Sequence, residues 1–82
     1  MNIKRSSRRW AVLNYAVTEP NKWTARAIAE DLGEPFKSID YARSCLTSAG
    51  LVALGQMAPG SRSRVLIPTP AGVEVLYKSL GL

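Results

Sequence analysis

The sequence predicts an α+β domain: a three-helix core, then a two-stranded β-hairpin, then a short C-terminal helix. Three observations lead there. Ala25, Ile28, Ala29 and Leu32 recur at i, i+3, i+4 and i+7 between Thr24, a good N-cap, and Gly33, a left-handed cap. Leu51–Met57 and Arg62–Pro68 are strand-like runs separated by the turn residues Ala58-Pro59-Gly60-Ser61. Thr69-Pro70 then sets a cap before a proline at the first helical position, ahead of the stripe Val73, Leu76, Tyr77 and Leu80.

The first helix is expected over residues 8–17. Ser6 or Ser7 caps it, and Trp10, Leu13 and Val17 form its stripe with Ala16 beside them. Val12 and Tyr15 widen that face, as in a helix with two neighbours or a dimer mate. Glu19-Pro20-Asn21 ends it, and Lys22-Trp23 reads as a very short extended piece with Trp23 in the core. The second helix follows Thr24 for about two turns. Its outward acids, Glu30 and Asp31, are expected to be solvated. Gly33-Glu34-Pro35 is a tight turn, and two short helices joined by such a glycine turn are a helix-turn-helix.

The third helix opens at Pro35, placed at the first helical position, and is closed by Gly50. At about 100° per residue, Pro35, Ile39, Ala42, Leu46 and Ala49 share one side, and Lys37, Asp40, Tyr41, Ser44 and Ser48 share the other. The first side is core. The second is polar and small, as in a helix laid in a major groove, or on an ordinary solvated surface. In the returning strand Val65 and Ile67 are assigned to the core, and Arg62 and Arg64 project together near the hairpin tip. Gly81 ends the last helix.

Eighty-two residues make one domain, residues 1–82, with 1–7 as a basic N-terminal arm. Eleven Lys and Arg against six Asp and Glu give a net charge of +5, which points to an anionic partner. Lys4, Arg5, Arg8 and Arg9 face no acid within the first nine residues and suit phosphate contacts, or a solubilising terminus. The chain has no histidine, which excludes Cys-His zinc sites and His-based triads. Its single cysteine, Cys45, has no internal partner and reads as a buried structural thiol. Neither paired carboxylates in a cleft nor a glycine-rich phosphate loop is legible, so no enzyme activity and no cofactor are expected. Arg8-Arg9 with the following Trp-Ala-Val-Leu resembles an export signal, but the apolar run is short and broken by Asn14 and Tyr15. No run approaches the ~18–20 apolar residues that span a bilayer, and a cytoplasmic, nucleoid-associated protein is expected.

With its element order complete, the chain resembles the winged helix-turn-helix superfamily, in the style of the MarR and PadR groups of bacterial regulators. The residues that carry the resemblance are Thr24 through Gly33, Ile39 and Leu46 on the next helix, Ala49-Gly50-Leu51-Val52, and Thr69-Pro70-Ala71-Gly72. It covers roughly residues 8–80. The departures are Glu34 at a usually apolar place, Arg43 where a core leucine is common, and a groove face with Lys37 as its only base beside Asp40. The long terminal helices that build MarR-type dimers are not seen, and the size suits a minimal domain of the kind phages and plasmids carry.

The resemblance implies a sequence-specific double-stranded DNA-binding transcriptional regulator, a repressor acting as a homodimer. Lys37, Ser38, Tyr41 and Ser44 would meet base edges or phosphates in the major groove. Thr24 and Arg26 would touch backbone phosphate, Arg62 and Arg64 would border the minor groove, and the arm residues Lys4, Arg5, Arg8 and Arg9 would add non-specific affinity. The alternative is a winged helix that binds another protein, since fold does not fix function.

Overall fold

Three hydroxyls set the helix starts. Ser7 Oγ accepts from the Trp10 N–H, Thr24 Oγ1 from the Ala27 N–H and Thr69 Oγ1 from the Gly72 N–H, each at 3.1 Å. Each cap satisfies a donor that the helix itself leaves unpaired and is worth about 1 kcal/mol. The computed structural model describes residues 3–81, so Met1 and Asn2 of the expected arm and the terminal Leu82 lie outside the described residues. The order is α1 (Arg8–Thr18), α2 (Ala25–Leu32), α3 (Phe36–Ser48), β1 (Val52–Met57), β2 (Arg64–Pro68) and α4 (Pro70–Ser79).

The core gathers Val12, Leu13 and Ala16 of α1, Ile28 and Ala29 of α2, Ile39, Ala42 and Leu46 of α3, and Leu51, Val52, Leu66 and Leu76. On α1 the buried line is therefore Val12, Leu13 and Ala16, while Trp10 and Val17 are only half-buried. The helix packs on α3 and on α4 together, so the residues between the two contacts are covered and those at the margins keep a polar outlet. Trp10 uses that outlet: its Nε1–H donates to Ser79 Oγ at 2.7 Å.

Both glycine turns carry the hydrogen bonds that close a helix with a left-handed residue. At Gly33 (φ +69) the Glu34 N–H returns to the Ala29 carbonyl at 2.9 Å. At Gly50 (φ +75) the Leu51 N–H returns to the Leu46 carbonyl at 2.9 Å, and both leucine side chains are buried. Several expected positions move. Pro35 is the residue before α3, not its first, with φ −60 and an extended ψ of 137, so its missing N–H falls outside the helical ladder. Pro35 and Ala49 are exposed because they flank the helix rather than lie within its core stripe. Leu32, at the open end of α2, is 40% exposed. Cys45 is half-buried.

The expected extended piece falls one residue later, on Trp23 and Thr24, with Lys22 still in the turn, and β2 explains it. The Leu66 N–H donates to the Trp23 carbonyl at 2.8 Å, the Asn21 N–H donates to the Leu66 carbonyl at 3.1 Å, and Thr24 bridges to Val65. Trp23 is half-buried at the core's edge rather than within it. It packs edge-to-face on Tyr15 at 4.7 Å and donates from Nε1 to Glu19 Oε1 at 2.9 Å. Lys22 also bonds Glu19, and these contacts, Lys22 foremost, hold the Glu19 carboxyl below the ordinary carboxylate range. Asp31, expected to be simply solvated, accepts a hydrogen bond from the Tyr15 hydroxyl and ties α2 to α1.

The hairpin is antiparallel with Ala53 opposite Ile67 and Leu54 opposite Leu66, and its register shifts between Leu54 and Met57. The expected core face of β2 holds only in part. Val65 is buried at 7% exposure as expected, but Ile67 on the same side is 37% exposed, and Leu66 on the other side enters the core at 1%. Leu66, paired with Leu54 and hydrogen-bonded to Trp23, faces the helices, and Val65 is covered from the other side of the strand. Gly55 makes room for the other side: a Cβ there would meet Ile67 Cδ1 at 2.8 Å and Val65 Cγ2 at 3.0 Å. Arg64 consequently shares its side with Leu66 and leans toward α3.

α4 lies close over the junction of α3 and β1. Thr69 Oγ1 donates to the Gly50 carbonyl at 2.6 Å, and a Cβ on Gly72 would stand 2.0 Å from the Leu51 carbonyl oxygen. Gly72→Ala should therefore destabilise the fold by about 1–3 kcal/mol, at roughly 4–8 °C of melting temperature per kcal/mol. Ala71→Ser, on the exposed neighbour, should leave the calorimetric melting temperature unchanged.

Tyr15 gives a second check. Its hydrogen bond to Asp31 first, then burial and the Asp31 charge, push its pKa from 10.0 up to about 12. The neutral phenol is the favoured form in the folded state. This contribution to stability is thus complete below pH 10 and lost as pH rises through about 12. Ultraviolet titration of the folded protein should show one tyrosine ionising near pH 12, and Asp31→Asn should bring that transition down.

Candidate nucleic-acid interface

Burying Ile39, Ala42 and Leu46 leaves Lys37, Tyr41, Ser44 and Ser48 along the outward line of α3. Tyr41 stands highest, at 72% exposure. The two flanks of this ridge differ, and each faces its own groove.

On the α1 side lies an open groove of about 510 Å³, lined by Ser7, Arg8, Arg9, Lys37, Ser38 and Tyr41. It brings together five of the expected contacts: the arginines that open α1 and the first turns of α3. Arg8 is shared, since its guanidinium reaches Glu34 at 3.4 Å with both side chains at least one-third exposed. An exposed pair at that distance is worth little, so Arg8 retains most of its reach. Glu34, the departure from the usual apolar residue, is accounted for by this contact.

On the hairpin side lies a smaller groove of about 240 Å³, lined among others by Phe36, Asp40, Arg43, Arg62, Ser63 and Arg64. Arg62 precedes β2 and Arg64 begins it, and both line this groove. Arg26 stacks its guanidinium over the Phe36 ring at 4.3 Å, which holds an exposed cation beside the start of α3.

The remaining expected contacts lie elsewhere. Thr24 is 6% exposed and its hydroxyl is committed to the Ala27 N–H, so it caps α2 and is withdrawn from the surface. Lys4 and Arg5 line neither groove. The Lys4 carbonyl accepts from the Ser7 N–H at 3.0 Å, Ile3 packs against the core, and the Arg5 guanidinium lies 5.8 Å from the Trp10 ring centre. The described part of the arm is thus folded back on α1.

Sequence reasoning missed Arg43. It stands where a core leucine is common, and its side chain, 21% exposed, bonds Asp40 on the hairpin side. The signal available was the i, i+3 spacing of Asp40 and Arg43, which sets an acid and a base on one flank of a helix.

Arg26→Ala should weaken binding of a short DNA duplex several-fold while leaving the melting temperature within a few degrees, because its stacking partner Phe36 stays anchored on α3. Fluorescence anisotropy and calorimetry on the same preparation measure both.

Comparison with known proteins gives structural neighbours only: no family model matches the chain, and no curated protein sequence matches it. A MarR protein from Peptoclostridium difficile superposes with a TM-score of 0.80 at 19% identity, covering 94% of this chain and 50% of its own. The PcaV transcriptional regulator from Streptomyces coelicolor superposes with a TM-score of 0.80 at 28% identity, covering 92% of this chain and 54% of its own. MepR, described as a transcription regulator of the Staphylococcus aureus multidrug efflux pump MepA, reaches 0.78 at 16% identity, with 92% and 55% covered. The chain spans about half the length of these proteins. Its four helices and two-stranded hairpin, with 92% or more of this chain superposed on such regulators, make this domain a winged helix-turn-helix.

Proposed function

We propose that the domain binds double-stranded DNA in a sequence-specific manner and acts as a transcriptional repressor. The observation that carries this reading is the α3 ridge with cationic grooves on both flanks: Arg8, Arg9 and Lys37 on one side, Arg43, Arg62 and Arg64 on the other. A duplex offers the matching surface, with base edges for the ridge and phosphate rows on either side. The neighbours' description as transcription regulators supports the same reading. A net charge of +5 favours it too.

One module of this size covers a short site, so the working form is a homodimer on a two-fold site. α4 supports that, because Tyr77 and Leu80 are 48% and 36% exposed on a helix otherwise packed against α1. The residence that fits is cytoplasmic, at the nucleoid. No helix among the described residues is long and apolar enough to cross a membrane.

The rival reading, a protein-binding winged helix, rests on Asp40 beside the ridge and on exposed Leu54 and Met57 in the hairpin. Asp40 is paired with Arg43 in a groove also lined by Arg62 and Arg64, so the groove as a whole stays cationic.

Anisotropy titrations of a selected duplex and of random DNA across a salt series decide between them. Log affinity should fall by about 0.9 per neutralised phosphate for each decade of salt. Tyr41→Ala should weaken the selected site more than random DNA, by about 1–3 kcal/mol, whereas Arg9→Ala should weaken both alike. No binding at low salt would leave the protein-binding reading in its place.

A further inference from the structure

The groove between α3 and the hairpin holds a cation that sequence reasoning never placed at the interface. Arg43 directs both Nε and one terminal nitrogen at Asp40 Oδ1, at 3.2 and 2.9 Å. A guanidinium has five N–H donors in a rigid fork, so three remain free once two are spent on the carboxylate. Across the groove stand Arg62 and Arg64, which form no ion pair among the described residues. Three arginines and one aspartate therefore line this groove, together with Phe36, Leu54 and Leu66. The carboxylate orients Arg43 more than it neutralises the site.

We infer that this groove is a phosphate seat, filled by one backbone phosphate of DNA between α3 and the hairpin, with Arg43 as its third guanidinium and Asp40 as the residue that positions it. The inference rests on the proposed DNA binding. Arginine forks match the tetrahedral oxygens of a phosphate and hold them at two points. The seat joins the ridge to the hairpin: a strand whose bases meet Tyr41 and Ser44 carries its next phosphates past Asp40 and Arg43 toward Arg62. Arg43 is then a contact that reads no sequence and fixes the angle of α3 to the duplex.

The test measures salt dependence of duplex binding for wild type, Arg43→Gln and Arg43→Lys, with a parallel nuclear magnetic resonance titration of each by inorganic pyrophosphate. The seat predicts that Arg43→Gln binds selected and random duplex several-fold more weakly alike and lowers the salt slope by about one. Arg43→Lys should restore the slope, and all three proteins should melt within a few degrees of one another, since a partly exposed ion pair between helix neighbours adds little to folding. An unchanged slope in Arg43→Gln overturns the seat even where wild type binds DNA tightly. If wild type binds no duplex, the proposed function falls and pyrophosphate decides the seat separately. Shifts of the Arg62 and Arg64 Nε–H signals on adding pyrophosphate to wild type that are lost in Arg43→Gln uphold a phosphate site, and their absence in wild type overturns it.

Discussion

Ile39, Ala42 and Leu46 press against Val12, Leu13 and Ala16, and all six are withdrawn from water. That contact between α3 and α1 fixes the rotation of α3 about its own axis. With the inner stripe held, the Lys37–Tyr41–Ser44 line points out, Ser38 turns toward the arginines of α1, and Asp40 and Arg43 turn toward the hairpin. Each leucine or isoleucine buried in such a stripe contributes roughly 1.5–3 kcal/mol. Rotating α3 by one residue would expose several of them. The ridge and both grooves are consequences of this packing.

The polar contacts around the site work differently. Arg8 with Glu34, Arg43 with Asp40 and Lys78 with Glu74 are all at least partly open to solvent. Pairs of this kind add little to folding. What they supply is direction. Asp40 fixes the plane of a guanidinium, and Phe36 fixes another by offering a ring to Arg26. A chain carrying +5 can hold cations in a defined array without a large cost, because few of them are buried.

Local signals made most of the fold legible. Thr24 and Thr69 announce helix starts, and Gly33 and Gly50 announce helix ends, through hydrogen bonds within a few residues. The inner line of α3 followed from its period. What failed depended on distant partners. Val65, Leu66 and Ile67 are all apolar, so alternation alone does not say which are covered; Val65 is buried as expected, but Leu66, paired with Leu54 and Trp23, takes the core place expected of Ile67. Thr24 was read as a phosphate contact because a helix start attracts anions, but β2 covers it. Arg43 looked like a flaw in the core because its place on the flank between α3 and the hairpin exists only once both are folded.

The central claim is that the α3 ridge and its two flanking grooves form one surface for DNA. The most direct measurement is amide chemical-shift mapping of the full chain with a short duplex at low salt. The account predicts shifts at Arg9, Lys37, Tyr41, Ser44, Arg62 and Arg64, with α4 around Tyr77 unaffected by the duplex. Shifts concentrated on α4 and absent from α3 would contradict it.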